Sequence, residues 1–117
     1  MKDLRRAEQA LVSNPLEAGL ILDKMNPDKL HGRQAAFYGM LRTRIDYVSG
    51  KAISSDSLAR IATDYWGSRR KGKYTSLSWQ RLGYAYSSMN RDAEAIYALM
   101  KSRDLSKDTL SFDLAAI

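Results

Sequence analysis

In "WQRLGYAYSSMNRDAEAIYALM", residues 79–100, a glycine sits on the apolar side of a helical pattern. Trp79, Leu82, Gly83 and Tyr86 fall at i, i+3, i+4 and i+7, which places them on one face. Glycine costs about 1 kcal/mol in a helix relative to alanine, so a glycine on the buried face needs a packing reason. The reason predicted here is a second helix crossing too close for any side chain. Asn90 breaks the pattern and reads as the cap of that second helix, whose apolar positions are Ala95, Ile96, Leu99 and Met100. Ala95 is the small residue expected opposite Gly83. Two helices joined by a short turn make a helical hairpin.

The rest of the chain reads as further helices. The first runs from about Asp3 to Ser13, with Leu4, Ala7 and Leu11 as its stripe. "NPLEAGLILDKM" carries a start signal, with Asn14 as cap, Pro15 in the first helical position and Glu17 in the third. Its apolar face is Ala18, Ile21, Leu22 and Met25. A helix from about Leu30 to Val48 follows, faced by Phe37, Leu41, Ile45 and Val48. Ser54 or Ser55 then caps a helix faced by Leu58, Ile61, Ala62 and Tyr65, which Gly67 stops. "SKDTLSFDLAAI" begins a seventh helix. No segment alternates with period two long enough to form a strand, so the chain is predicted to be all-α.

The pattern also repeats. Laying the second helix of each pair over the others aligns Ala18, Leu58 and Ala95, and likewise Leu22, Ala62 and Leu99. The intervals, 18 to 58 and 58 to 95, exceed the roughly 34 residues of an undistorted tetratricopeptide repeat. The excess falls at 49–53 and 67–73, where loop chemistry is plain. Three degenerate hairpins, at about 3–26, 30–67 and 75–104, plus a partial element at 107–117, describe a single domain over 1–117. The apolar end "SFDLAAI" has no capping signal, so the chain is expected to be the N-terminal piece of a longer array.

Residues 76–109 resemble a tetratricopeptide repeat (TPR): Trp79, Leu82, Gly83, Tyr86 and Ala95 match that family's order of large and small residues. Leu99 stands where the family often has an aromatic residue, Ser102 where it has alanine, and Lys107 where it has proline. In the earlier repeats Leu58 replaces the expected small residue. The resemblance implies a right-handed α-α superhelix, a TPR-like solenoid of about three hairpins with a truncated seventh helix. The whole-chain layout is similar to irregular TPR-like modules of bacterial extracytoplasmic sensor-regulators and lipoproteins. That similarity implies a periplasmic or membrane-anchored full-length protein; the sequence itself leaves a cytoplasmic one open.

Charge and composition narrow the functional classes. The formal net charge is +6 over 117 residues, and cysteine is absent, so disulfides and thiolate metal sites are excluded. No apolar run approaches the roughly eighteen residues of a membrane span. Residues 61–90 hold five basic residues against Asp64 alone, mostly in "SRRKGKY" at 68–74. That run reads as a solvated connector; the sharper reading is a phosphate or nucleic-acid contact. His31 stands alone in "KLHGRQ", Glu8, Glu17 and Glu94 are scattered, and no phosphate-cradling glycine loop is present. The chain is therefore expected not to be an enzyme and to hold no cofactor or metal. A non-catalytic module that binds a protein or peptide is expected, with a basic nucleic-acid-binding helical domain as the alternative. In a TPR-like stack the first helices line a concave wall, which assigns Gln80, Arg81, Tyr84 and Ser87, with Tyr38, Arg42 and Asp46 beside them, to partner contact. Arg42 and Arg81 are the candidates for pairing a peptide carboxylate, and Tyr84 for a rigid anchor.

Overall fold

Asn14 starts the second helix as its chemistry demands: the Asn14 side chain accepts the Glu17 backbone N–H at 3.2 Å, with Pro15 in the first turn. The computed structural model describes residues 1–67 and 72–106. Among them are α1 (Lys2–Ser13), α2 (Pro15–Asp23), a short 3-10 turn (Pro27–Lys29), α3 (Gly32–Val48), α4 (Ser57–Trp66), α5 (Lys73–Ser88) and α6 (Asp92–Ser106), with no strand. The chain is all-α, as the periodicity requires. The seventh helix expected over 107–117 lies outside the described residues.

The helices associate in consecutive pairs, α1 with α2, α3 with α4 and α5 with α6, and α3 also touches both α1 and α5. Their extents of 33 × 30 × 27 Å make a compact bundle. Leu4, Ala7 and Leu11 are buried as the α1 stripe predicts, and they meet Ala18, Leu22, Phe37, Leu41, Ile45, Ala62 and Trp66 in the main core. A smaller cluster gathers Ala59, Leu82, Ala85, Tyr86, Ala95 and Ala98 around the last pair.

Glycine sets how closely the pairs approach. A Cβ added to Gly83 would lie 2.6 Å from Leu99 Cγ and 3.4 Å from the Ala95 oxygen, so the predicted crossing is present. Gly39 makes a tighter one that the sequence reading missed. There a Cβ would lie 2.2 Å from the backbone oxygen of Leu58, so α3 and α4 touch main chain to main chain. Leu58 is the residue that aligns with Ala95, and its backbone rather than its side chain meets the glycine.

Several expected faces are rotated. α4 buries Ala59, Ala62, Thr63 and Trp66, one residue on from the predicted set, and leaves Ile61 exposed. α6 buries Ala95, Ala98 and Ser102 and turns Ile96, Leu99 and Met100 outward. At Gly83 the space a Cβ would take is filled by the part-exposed Leu99 side chain and approached by the Ala95 carbonyl, which brings the small residues Ala95, Ala98 and Ser102 of α6 inward. Ser102 and Ser76 complete the seam, each hydroxyl donating to the other's backbone carbonyl at 2.8 and 2.7 Å. Val48 of α3 is likewise exposed.

Two helix ends share one device. Asn90, at φ 60°, follows α5; its N–H donates to Ser87 O at 3.1 Å and that of Arg91 to Tyr86 O at 2.9 Å. Gly50, at φ 73°, ends α3 in the same way through Tyr47 O and Asp46 O. Both are Schellman closures, so Asn90 terminates α5 instead of capping α6. At α4 the N-cap is Asp56, while Ser55 Oγ accepts the Ser57 N–H at 3.1 Å.

The crossings make a paired prediction. Gly39→Ala presses on a carbonyl that cannot yield and is expected to cost about 1–3 kcal/mol or more in urea unfolding. Gly83→Ala presses on the movable, part-exposed Leu99 side chain and gains roughly 1 kcal/mol of helix propensity, so its net change is expected to be small. Equal losses would show that the two crossings are alike.

Candidate partner-binding cleft

The residues assigned to a concave wall are brought together, but mostly inside the molecule. Gln80 and Arg81 are 3% and 1% exposed, and Tyr38 and Tyr84 are also buried. Only Ser87 faces solvent freely. Arg42 is half-buried in two ion pairs, with Asp23 at 2.7 Å and Asp46 at 3.3 Å. Burial works to lower its pKa, yet the Asp23 hydrogen bond and the Asp46 charge leave it raised. It ties α2 to α3. The inward turn has a physical cause: α1, α3 and α5 close on one another. Tyr74 Oη on α5 donates to Glu8 on α1 at 2.8 Å, bridging the two outer walls of the expected groove. Burial, together with Glu8, pushes the Tyr74 phenol up to about 12.

Arg81 sits in the middle of this closure. Its guanidinium donates to Gln80 Oε1 through Nη1, and its Nε has no hydrogen-bond partner. Burial, with Arg44 beside it, pulls its pKa down to about 9; Tyr84 and Glu8 act weakly the other way. Tyr84 stacks face to face on Tyr47 at 4.1 Å and accepts from Arg44 Nη1 at 3.3 Å. These contacts make the cluster a polar seam between helices. Arg81, expected at a groove edge, is an interior residue.

A cavity lies on the other side of α5. About 560 Å³ opens between α4, α5 and α6, walled by Trp79, Leu82, Tyr86 and Tyr97, with Arg60, Asp64 and Glu94 among its polar lining. Trp79 and Tyr97 meet edge to face at 6.2 Å, and Lys101 Nζ lies 4.9 Å from the Trp79 ring. Tyr86 is flanked by Arg91, 5.0 Å from its ring, and by Arg60 Nη1, 3.5 Å from its hydroxyl. The Trp79 Nε1–H is buried without an acceptor. Above the cavity Ile96, Tyr97 and Met100 form an exposed apolar surface along α6, with Tyr97 60% exposed. A cleft with apolar walls and a few fixed polar groups is the form that accepts a bulky apolar side chain. Tyr97 was missed as a site residue. The available signal was the small-residue spacing of Ala95, Ala98 and Ser102, which forces position 97 outward.

Among the described residues no helix is long and apolar enough to cross a membrane, and no group of three or more His, Cys, Asp or Glu residues is arranged to hold a metal ion. No family model matches the chain, and neither a curated protein nor a solved structure matches it.

The buried guanidinium predicts a pH signature. The unfolded chain keeps this proton well above pH 9 and the folded chain only to about 9, so the charge opposes folding fully below pH 9. That penalty fades as pH rises above about 9. Arg81→Met is expected to raise the melting temperature at pH 7 by roughly 4–8 °C, for about 1 kcal/mol. The gain over the wild type should shrink above pH 9. A lowered melting temperature at pH 7 would mean that Arg81 holds the seam together.

Proposed function

We propose that this chain is a non-catalytic interaction module of TPR-like build that binds a protein or peptide partner. Two features support the build. The first helices of successive pairs neighbour one another, α3 touching α1 and α5, as they do in a superhelical stack. The Gly83–Ala95 approach falls where the TPR pattern carries its small residues. A role as the sensing part of a bacterial regulator rests on the sequence resemblance alone.

The observation that carries the binding function is the open cleft between α4, α5 and α6, continuous with the exposed apolar surface of α6. Exposed apolar surface beside a concave pocket is typical of a partner site. We assign contact to Tyr97, Trp79 and Ala93 in place of the wall of Tyr38, Arg42, Gln80, Arg81, Tyr84 and Ser87, because Tyr38, Gln80, Arg81 and Tyr84 are buried, Arg42 is held in two ion pairs and only Ser87 is left exposed. An apolar side chain of the partner enters between Trp79 and Tyr97, and its flanking residues lie along Ile96 and Met100.

A display library of random peptides panned on the immobilised chain tests this. The selected peptides are expected to share a large apolar anchor and to lose at least about tenfold in affinity on Ala93→Glu or Tyr97→Glu, both exposed positions that should leave the circular dichroism unchanged. Peptides whose affinity survives both changes would place the site elsewhere.

A further inference from the structure

A second pocket, of about 320 Å³, lies where α3, α4 and α5 meet, with Arg33, Tyr65, Trp66, Lys73 and Tyr74 in its lining. Its chemistry differs from that of the cleft. Arg33 and Lys73 are both exposed, come from different helices and have no ion-pair partner among the described residues. Glu8, which accepts the Tyr74 hydroxyl at 2.8 Å, pairs with Arg5 at 3.8 Å. Cations and rings alternate across the patch: Lys73 Nζ is 5.8 Å from the Tyr74 ring, Tyr74 stacks on Trp66 at 5.1 Å, and Arg33 lies 5.6 Å from the Phe37 ring.

We propose that this pocket binds single-stranded nucleic acid, with Arg33 and Lys73 on backbone phosphates and a base against the Tyr65 and Tyr74 rings. Uncompensated cations supply the affinity for phosphate, and half-buried aromatic rings supply a stacking surface that tolerates any base. Opposite charge alone would serve any polyanion; the rings beside the cations favour a strand that carries bases. This site is separate from the cleft between α4, α5 and α6, and neither depends on the other.

The test is fluorescence anisotropy with a labelled single-stranded oligothymidine and the whole chain, at several salt concentrations. Binding is expected to weaken as salt rises. Arg33→Gln with Lys73→Gln should reduce the magnitude of the log–log salt slope by roughly 1.4, at about 0.7 for each lost phosphate contact on a single strand. A control with equal charge loss elsewhere, Lys24→Gln with Arg103→Gln, should bind nearly as the wild type does. Arg33→Lys should restore most of the affinity to a chain carrying Arg33→Gln alone. Absence of binding at low salt would overturn the proposal. So would equal weakening by the two double variants, which would make net charge the cause. Displacement by polyglutamate as effective as by unlabelled oligothymidine would also overturn it, since the rings would then add nothing.

Discussion

The contact between Gly39 and the Leu58 backbone decides much of this structure. With no Cβ on α3 at that point, the two main chains meet, and α4 presents the small residues Ala59, Ala62 and Thr63 to its neighbours, with Trp66 reaching into the core at the end of the helix. The same logic recurs one pair later, where Gly83 draws in α6 through Ala95 and Ala98 and the Ser76–Ser102 hydroxyls close the seam. Close-packed interiors transmit such constraints because they have little void to absorb them. A helix that buries its small residues has to display its large ones. The apolar surface of α6 and the cleft beneath it follow from that geometry.

Residues whose role depends on their own helix were legible in the sequence. Leu4, Ala7 and Leu11 announce a buried stripe by spacing, Asn14 and Pro15 announce a helix start, and Gly83 announces a crossing by its cost. Residues whose role depends on a neighbouring helix were not. Gly39 lies in a run, "AAFYGMLR", in which nearly every position is buried, so no face stands out against the rest. The α4 and α6 faces were misread because apolar size was taken as the sign of burial, whereas at a close crossing the small side chain is the buried one. Asn90 was read as a cap for the following helix; its left-handed conformation closes the preceding one, and asparagine suits both roles.

The polar residues show the same limit. With Trp79, Leu82, Gly83 and Tyr86 on the packing face of α5, the sequence assigns Gln80 to a concave wall and Arg81 to its edge. The closure of α1 on α5 through Glu8 and Tyr74 is a contact across 66 residues, and it turns that edge into interior. Two surfaces that remain open are the apolar cleft by α6 and the cationic, aromatic pocket by α3 and α5. They differ in chemistry, which is why they are assigned different ligands.

Main-chain contact at Gly39 and the close approach of Leu99 to Gly83 set the two crossings, and a NOESY spectrum of the uniformly labelled protein measures both directly. Leu58 Cα lies 3.6 Å from the place a Gly39 Cβ would take. Strong cross-peaks are therefore predicted from the Gly39 Hα protons to Leu58 Hα, and from Gly83 Hα to the Leu99 methyls. Absence of the Gly39–Leu58 peak in an otherwise assigned, folded chain would contradict the close crossing, because nothing else would then oblige α4 to turn its small residues inward.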